Sequence, residues 1–496
     1  MNRPEILDRI RSRTKPWDII VIGGGATGVG CAVDAASRGY DVLLVEQHDF
    51  GKGTSSRSTK LVHGGVRYLR QGRISLVREA LKERGLLLKN APHLVHKQAF
   101  IVPCYSQWQK IFYGVGLKIY DQLSGKYSVG KSRILSKGET IEHLPNIKTE
   151  KLYGGVLYYD GQFDDTRLLI DLVKTAHCHG AAILNYAKVA SLTKNPDGKI
   201  TGVEFADAES GETFVVAAHS VINATGVFCD EVRAMSDDTA NPVVTFSQGI
   251  HLVFDRKFLS SDSAIMIPKT GDGRVLFCIP WLGHTLVGTT DTPVKSAKLE
   301  PIALEAEIDF VIKTAGQYLA QQPTRDDVLS VFAGIRPLVK SGRTTRTSSI
   351  SRGHDLFVDN AGLVTITGGK WTTYRRMAED AVNKAVELGK LEYKPSITAG
   401  LAINGPDTFP GGDIERLHPD LPYTGEDVIR AVRDEMARSA EDVLARRTRA
   451  LFLNAKAAIE MAPMITRIMA SEMSTDQKWI DGHLAEFREM ANNYEI

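Results

Sequence analysis

The chain has 496 residues, 43% of them hydrophobic and 24% charged, a composition typical of a globular protein with roughly two to four domains. The net charge of +2 says little by itself. The five cysteines are isolated, which argues against a disulfide framework and a metal site. No uncharged apolar stretch reaches the length of about 18 residues that a spanning helix needs. Residues 1–18 are charged throughout and not typical of a signal peptide, so we expect a cytosolic protein or one attached to a membrane face.

The first predicted elements are a strand, a glycine-rich turn, a helix and a second strand within residues 18–46. The turn has the G-x-G-x-x-G spacing, which lets backbone approach a pyrophosphate at a helix N-terminus. An acid ends the second strand, where a carboxylate accepts hydrogen bonds from ribose hydroxyls. The predicted contacts of this dinucleotide site are Gly23, Gly25, Ala26, Thr27, Gly28 and Glu46. The motif alone does not separate NAD from FAD.

Three later segments favour FAD. Residues 54–69 (TSSRSTKLVHGGVRYL) are rich in hydroxyl groups and glycine, and residues 219–226 read as a strand that ends in Ala-Thr-Gly. In residues 362–382 a strand runs into two glycines and a helix, whose N-terminus would stabilise the negative charge of a reduced flavin. The further cofactor contacts predicted here are Thr54, Ser55, Ser56, Lys60, His63, Gly64, Gly65, Ala224, Thr225, Gly226, Gly368, Gly369 and Thr372.

These motifs, with FDDTRL (163–168), IPWLGHTLVGTTD (279–291) and GIRPLV (334–339), resemble those of the FAD-dependent, quinone-linked glycerol-3-phosphate dehydrogenases. The resemblance implies an α/β fold, α+β overall. It would comprise a Rossmann-like FAD-binding domain of the D-amino-acid oxidase type, a β-sheet substrate domain and a small helical C-terminal domain. We expect these domains to cover, in that order, residues 1–70, 151–240 and 331–390; residues 71–150 and 241–330; and residues 391–496. A Gly/Pro-rich stretch at 402–413 is the expected linker.

A phosphate monoester requires several cations, and arginine is the usual choice. The substrate contacts predicted from residue type and from the resemblance are Arg67, Tyr68, Thr289, Arg336, Arg352 and Lys370. The implied reaction oxidises sn-glycerol 3-phosphate to dihydroxyacetone phosphate by hydride transfer to FAD while a base takes the hydroxyl proton. The predicted catalytic residues are His251 as candidate base, Arg336 as stabiliser of the alkoxide, and Lys370.

A basic stretch offers an exit for the electrons. Residues 60–133 hold 14 Lys and Arg against three Asp and Glu. Within it, residues 104–123 mix Trp108, Phe112, Tyr113 and Tyr120 with lysines, a pattern typical of attachment to an anionic membrane surface. The resemblance implies a peripheral enzyme on the cytoplasmic face of the inner membrane that passes electrons to a membrane quinone.

Several alternatives stay open at this point. A solvated basic face over an ordinary core would also explain the charge, and nucleic-acid binding fits less well because no binding module accompanies the charge. An oxidase that reduces oxygen, a flavin amine oxidase and a non-catalytic FAD-binding interaction protein would share the flavin motifs. The oligomeric state, a homodimer included, is not determined by these patterns.

Overall fold

The structure is a computed structural model that describes residues 1–268, 270, 273–339, 353–405 and 415–496. Its strands are β1 (Trp17–Ile22), β2 (Val42–Val45), β3 (Leu61–Val62), β4 (Val95–Cys104), β5 (Arg133–Leu135), β6 (Gly154–Phe163), β7 (Ala182–Leu184), β8 (Ala187–Lys194), β9 (Ile200–Asp207), β10 (Thr213–Asn223), β11 (Val244–Asp255), β12 (Ala264–Ile267), β13 (Leu276–Trp281), β14 (His284–Gly288), β15 (Thr292–Val294), β16 (Val328–Val339), β17 (His354–Val358), β18 (Val364–Gly368), β19 (Arg416–His418) and β20 (Leu421–Thr424). Its helices are α1 (Arg3–Ser12), α2 (Ala26–Ser37), α3 (Val66–Arg70), α4 (Ile74–Asn90), α5 (Gln107–Ser124), α6 (Lys137–His143), α7 (Asp165–Cys178), α8 (Cys229–Ser236), α9 (Glu305–Gly316), α10 (Tyr374–Leu388), α11 (Gly425–Arg433), α12 (Ala450–Leu453), α13 (Ala455–Met473) and α14 (Gln477–Ala491).

The first sheet has eight strands, and five of them are parallel. Strand β1 pairs in parallel with β2 on one side and β10 on the other, while β7 and β18 extend the sheet outward. Strand β2 is buried along its whole length, as expected of a parallel strand covered on both faces. The carboxyl ends of β1, β2, β10 and β18 therefore lie together, which is where such sheets bind ligands.

The second sheet has ten strands, ordered β15-β11-β14-β13-β12-β4-β6-β3, with β16 paired to β11 and β5 to β6. Strands β3, β6 and β16 belong to this sheet, although we expected their residues in the FAD-binding domain. The expected boundaries at 150 and 330 are therefore displaced by about one strand each. A strand that enters a second sheet has the same apolar pattern as one that stays in the first, so the sequence does not separate the two.

Strands β11 and β16 position the candidate catalytic side chains. They pair in antiparallel register, with Ser247 opposite Arg336 and His251 opposite Phe332. Ser247 and His251 are four residues apart on β11 and therefore share a face of that strand. Arg336 lies directly opposite Ser247, so His251 and Arg336 point to the same face of the sheet. The two candidates thus come from one antiparallel pair of neighbouring strands.

The C-terminal part comprises α11 to α14 and the small hairpin β19–β20, which the helical prediction for residues 391–496 did not include. It shares a hydrophobic core with the second sheet, where the Phe452 ring lies 4.8 Å from that of Phe332 and 5.5 Å from that of Tyr494. Part of the expected linker, residues 406–413, lies outside the described residues.

The described residues contain neither a membrane-spanning helix nor a cluster of metal ligands. None of the helices found there is long and apolar enough to cross a bilayer. The same part of the chain contains no group of three or more His, Cys, Asp or Glu side chains suited to a metal ion.

Candidate active site

A groove of about 230 Å³ lies at the carboxyl ends of the parallel strands. Backbone atoms lie close together at its floor. Gly23 has φ +110°, and a Cβ there would lie 2.8 Å from the carbonyl oxygen of Ala224. A Cβ on Gly28 would lie 1.9 Å from the Gly23 carbonyl oxygen. Gly25, the N-cap residue of helix α2, lies here and provides no side-chain cap, so the positive end of the helix dipole faces the groove. The groove therefore suits an elongated anion such as a pyrophosphate.

Glu46 lies in the wall of this groove at the end of β2. Its carboxylate accepts the Gly24 N–H at 2.6 Å and the His48 N–H at 2.9 Å. Burial raises the pKa of Glu46, and these two donors oppose the rise. Two of the roughly four lone-pair sites of a carboxylate remain, enough for a pair of ribose hydroxyls. The residues present thus fit the dinucleotide part of FAD.

Most of the other predicted cofactor residues lie beside the groove or the adjoining cavity. The groove is lined by Gly23, Gly25, Ala26, Thr27, Glu46, Thr54, Ser55, Ala224, Thr225, Gly226, Gly368 and Gly369. The cavity is lined by Thr54, His63, Gly65, Gly369 and Thr372.

Four predicted cofactor residues, Gly28, Ser56, Lys60 and Gly64, line neither space. The buried Lys60 Nζ donates to the Ser56 carbonyl and to Asp165, each at 2.7 Å, so this side chain sits beneath the cavity. Ser56 is buried beside it, and its hydroxyl donates to the Gly53 carbonyl at 3.3 Å. Gly64 faces Leu81 and Tyr120, which would be 2.5 Å from a Cβ there. A segment rich in hydroxyl groups and glycine does not reveal which of its residues line a ligand space and which pack behind the lining.

A larger cavity of about 970 Å³ opens directly from the groove. The two spaces share Thr54, Pro337, Gly369, Lys370 and Trp371 as lining residues. The cationic lining residues of the cavity are Arg57, Arg67, Arg274, Arg336 and Lys370, against the acids Asp160 and Asp291. An anionic substrate is therefore favoured at the end of the groove where a flavin ring would lie.

Arg336 lies on the cavity wall and is held by the β14–β15 turn. Its Nη2 donates to Thr289 Oγ1 at 2.9 Å, its Nη1 donates to the Thr290 carbonyl at 3.1 Å, and Asp291 lies 3.7 Å away. A Cβ on Gly249 would lie 2.2 Å from Arg336 Nη2. Glycine at that position of β11 is thus required for the guanidinium to occupy this place. Thr289, predicted as a substrate contact, lines the cavity as the partner of Arg336.

Lys370 and Tyr68 form a second cationic group on the cavity wall. The Lys370 Nζ lies 4.1 Å from the centroid of the Tyr68 ring, a distance typical of a cation–π contact. Lys370 precedes the helical turn Trp371–Thr373, so its position follows from the glycines at the end of β18. Arg67 lines the same cavity, whereas Arg352 lies outside the described residues.

His251 reaches the cavity from β11 and is only 1% exposed. Its Nε2 lies 3.0 Å from Thr59 Oγ1, and its ring stacks on Phe332 at 4.9 Å. The buried Nδ1 has no hydrogen-bond partner among the described residues. Burial first, and then the Lys60 and Arg336 cations, hold the pKa of His251 well below its ordinary value. The imidazole is therefore neutral near pH 7.

The lining residues that were not predicted from the sequence include Thr59, Arg57, Asp291 and Trp371. All four fall inside segments already singled out, residues 54–69, 279–291 and 362–382. Trp371 follows Lys370 directly, and its indole N–H donates to the Ser55 carbonyl at 2.8 Å. Their roles depend on side-chain direction, which a motif read along the chain does not provide.

Helix α5 presents an apolar face to solvent beside the cavity. Trp108 is 73% exposed and Val115 55%, and Ile111, Phe112 and Ile119 complete a stripe at helical spacing. All five line the cavity. Tyr120, which we expected among the interface aromatics, is buried instead, and its hydroxyl donates to Asp160 at 2.7 Å.

The fold and the groove together define a class, the FAD-dependent oxidoreductases with a separate substrate sheet. Residues 18–375 match the family of FAD-dependent oxidoreductases, and residues 401–479 match the C-terminal domain of alpha-glycerophosphate oxidase. The chain is 41% identical over 518 residues to the mitochondrial glycerol-3-phosphate dehydrogenase of Rattus norvegicus, and 40% identical over 520 residues to that of Homo sapiens. Each alignment covers 93% of this chain and 71% of the relative.

Solved structures agree with this assignment. The glycerol-3-phosphate dehydrogenase from Bacillus halodurans, complexed with FAD, superposes with a TM-score of 0.79 at 28% identity over 99% of this chain and 97% of that one. The L-alpha-glycerophosphate oxidase from Mycoplasma pneumoniae has a TM-score of 0.59 at 18% identity, over 80% of this chain and 100% of that one, and shows the shared fold alone. The chain belongs to the FAD-dependent glycerol-3-phosphate dehydrogenase family. The predicted fold class and the predicted cofactor, FAD, are thereby confirmed.

Proposed function

We propose that the protein oxidises sn-glycerol 3-phosphate to dihydroxyacetone phosphate, with FAD as oxidant and a membrane quinone as final electron acceptor. The observation that carries the proposal is the cationic cavity that opens directly into the dinucleotide groove. The names of the relatives from rat, human and Bacillus halodurans support the same substrate. An amine oxidase would not need so many cations around its substrate.

The two cationic groups of the cavity contact different parts of the substrate. In this proposal Lys370, over Tyr68 and beside Arg67, binds the phosphate. Arg336 is oriented by Thr289 and by the Thr290 carbonyl, so its guanidinium is available to the oxygen on carbon 2 without first being ordered. Preorganised donors of this kind stabilise charge that develops during the reaction.

Oxidation of a secondary alcohol removes a hydrogen with two electrons from carbon 2 and a proton from its hydroxyl. FAD held in the groove would supply the acceptor for the hydrogen and the electron pair. We assign the proton to His251, because its ring lines the cavity and is neutral near pH 7.

The exposed stripe on α5 suits a membrane surface. Aromatic and aliphatic side chains insert at the headgroup boundary, and Lys110 and Lys118 on the same helix would pair with anionic lipids. Because the stripe also lines the cavity, attachment would bring the flavin end of the site close to quinone in the bilayer. We place the protein on the cytoplasmic face of the inner membrane.

Turnover under anaerobic conditions tests the proposal. The enzyme should reduce a water-soluble quinone analogue with glycerol 3-phosphate as donor, much more slowly with glycerol at the same concentration, and not with glycine. Rapid turnover in air with release of hydrogen peroxide, and none with the quinone analogue, would instead identify an oxidase.

A further inference from the structure

A segment of the C-terminal part holds the loop that follows β2. We call residues 46–60 the β2 loop. Arg446 and Arg447, in the helical turn at residues 442–447, both donate to the carboxylate of Asp49 in this loop, and Arg447 Nη2 does so at 2.8 Å. All three side chains are almost completely buried. The ion-pair cluster therefore lies at the interface of the C-terminal part with the first sheet.

Two more contacts from the same segment reach the β2 loop further along. Lys52 Nζ lies 2.7 Å from Glu441 Oε2, and Arg449 Nη2 donates to the Ser56 carbonyl at 3.0 Å. With Asp49, the loop is thus held at three points spread over eight residues by residues 441–449.

The opposite side of the β2 loop forms the groove. Glu46 and residues 51–55 line it. The Ala26 N–H at the start of α2 donates to Ser55 Oγ at 2.9 Å, and the Gly51 N–H donates to the Gly24 carbonyl at 3.1 Å. The loop therefore lies between the cofactor groove on one side and the C-terminal arginines on the other.

The cluster is sensitive to the loss of either partner. Burial by itself would raise the pKa of Asp49, but the Arg447 and Arg446 guanidiniums outweigh burial and lower it. A buried carboxylate or guanidinium that loses its partner is strongly destabilised, and the loop would move to relieve it. Movement of this loop changes the groove wall directly.

We propose that residues 441–449 clamp the β2 loop in the conformation that retains FAD, so that breaking the clamp speeds FAD release. Asp49, Arg446 and Arg447 are then positioning residues, since they touch neither groove nor cavity. The inference rests on the proposed function only through its cofactor.

FAD release from purified holoenzyme tests the clamp. Protein-bound and free flavin differ in fluorescence, so release after dilution is followed as a change in emission. Asp49→Asn and Arg447→Met should release FAD at least about tenfold faster than the wild type, equivalent to about 1.4 kcal/mol if binding is unchanged in on-rate. When the variants are saturated with added FAD, the KM for glycerol 3-phosphate should stay at the wild-type value.

Arg167→Met is the matched control. Arg167 on α7 forms a bidentate pair with Glu435 at 2.8 and 2.9 Å across the same interface, and its other bonds go to Asp171, outside the β2 loop. It should lose stability and release FAD at nearly the wild-type rate. Equal FAD release from Arg167→Met and Asp49→Asn would overturn the clamp, because general loosening of the interface would then explain both.

A milder variant guards against failure to fold. Glu441→Gln keeps the size of the side chain and weakens the bonds to Lys52 and Arg446. It should also release FAD faster, and a wild-type rate in folded Glu441→Gln would overturn the clamp. A wild-type protein that purifies without FAD and does not take it up would contradict the proposed function itself. If the wild type holds FAD and every variant releases it at the wild-type rate, only the clamp is contradicted.

Discussion

Replacing Lys370 by alanine should selectively weaken the use of a phosphorylated substrate. Lys370 lies 4.1 Å from the Tyr68 ring on the wall of a cavity that adjoins the cofactor groove. A charge pair 4 Å apart is worth about 4 kcal/mol at an effective dielectric constant of about 20. Removing one partner of such a pair in a binding site costs about 2–5 kcal/mol.

We therefore expect a loss of about 2–4 kcal/mol in transition-state binding, or roughly a 30- to 900-fold drop in kcat/KM for glycerol 3-phosphate. The loss with unphosphorylated glycerol should be much smaller, since no phosphate is present to lose its cation. FAD content should stay near that of the wild type, because the dinucleotide groove is lined mainly by other residues.

The assay is quinone-analogue reduction with the two substrates side by side. Lys97→Ala is the control, because Lys97 makes a similar contact, 3.7 Å from the Tyr159 ring, and neither residue lines the cavity. A Lys370→Ala variant that loses FAD yet keeps its preference for the phosphorylated substrate would refute the reasoning. The lysine would then serve the cofactor, and the phosphate site would have to be sought at Arg67.

Three other outcomes are expected. Glu46→Gln should weaken FAD retention about tenfold or more while leaving the KM for substrate nearly unchanged, because charge-assisted hydrogen bonds to ribose are worth roughly 1.5–3 kcal/mol each; equilibrium dialysis against FAD measures this. Native His251 stays neutral while the unfolded chain protonates it below about pH 6.5, so the wild type loses stability as the pH falls below that value. The Tm advantage of the wild type over His251→Gln should accordingly shrink between pH 7.5 and pH 5.5, and a constant difference would contradict the assigned pKa shift. Trp108→Glu should reduce co-sedimentation with anionic vesicles, whereas Val215→Glu, which alters a residue 70% exposed on β10, should not; equal binding of both variants would exclude α5 as the attachment site.

The cofactor half of the site could be predicted from sequence because its constraints are local. Gly23 and Gly28 are glycines since a Cβ at either position would collide with backbone, and Glu46 follows at the distance that one strand–helix–strand unit imposes. Spacing along the chain therefore encodes most of the geometry.

The substrate half depends on contacts between distant segments. Lys60 and Tyr120 lie in segments that the sequence analysis singled out, but each side chain points to a buried carboxylate, Asp165 or Asp160, about 100 and 40 residues further along the chain. The pairing of Arg336 with Thr289 likewise depends on the register between β16 and its neighbours. Nothing in a linear pattern determines which of several polar residues turns toward the ligand.

The most direct test of the proposed activity is anaerobic titration of the holoenzyme with glycerol 3-phosphate. Substrate should bleach the absorbance of the oxidised flavin with one dihydroxyacetone phosphate formed per flavin, and a quinone analogue added afterwards should restore the colour. A flavin that dithionite bleaches but glycerol 3-phosphate leaves oxidised would contradict the assignment.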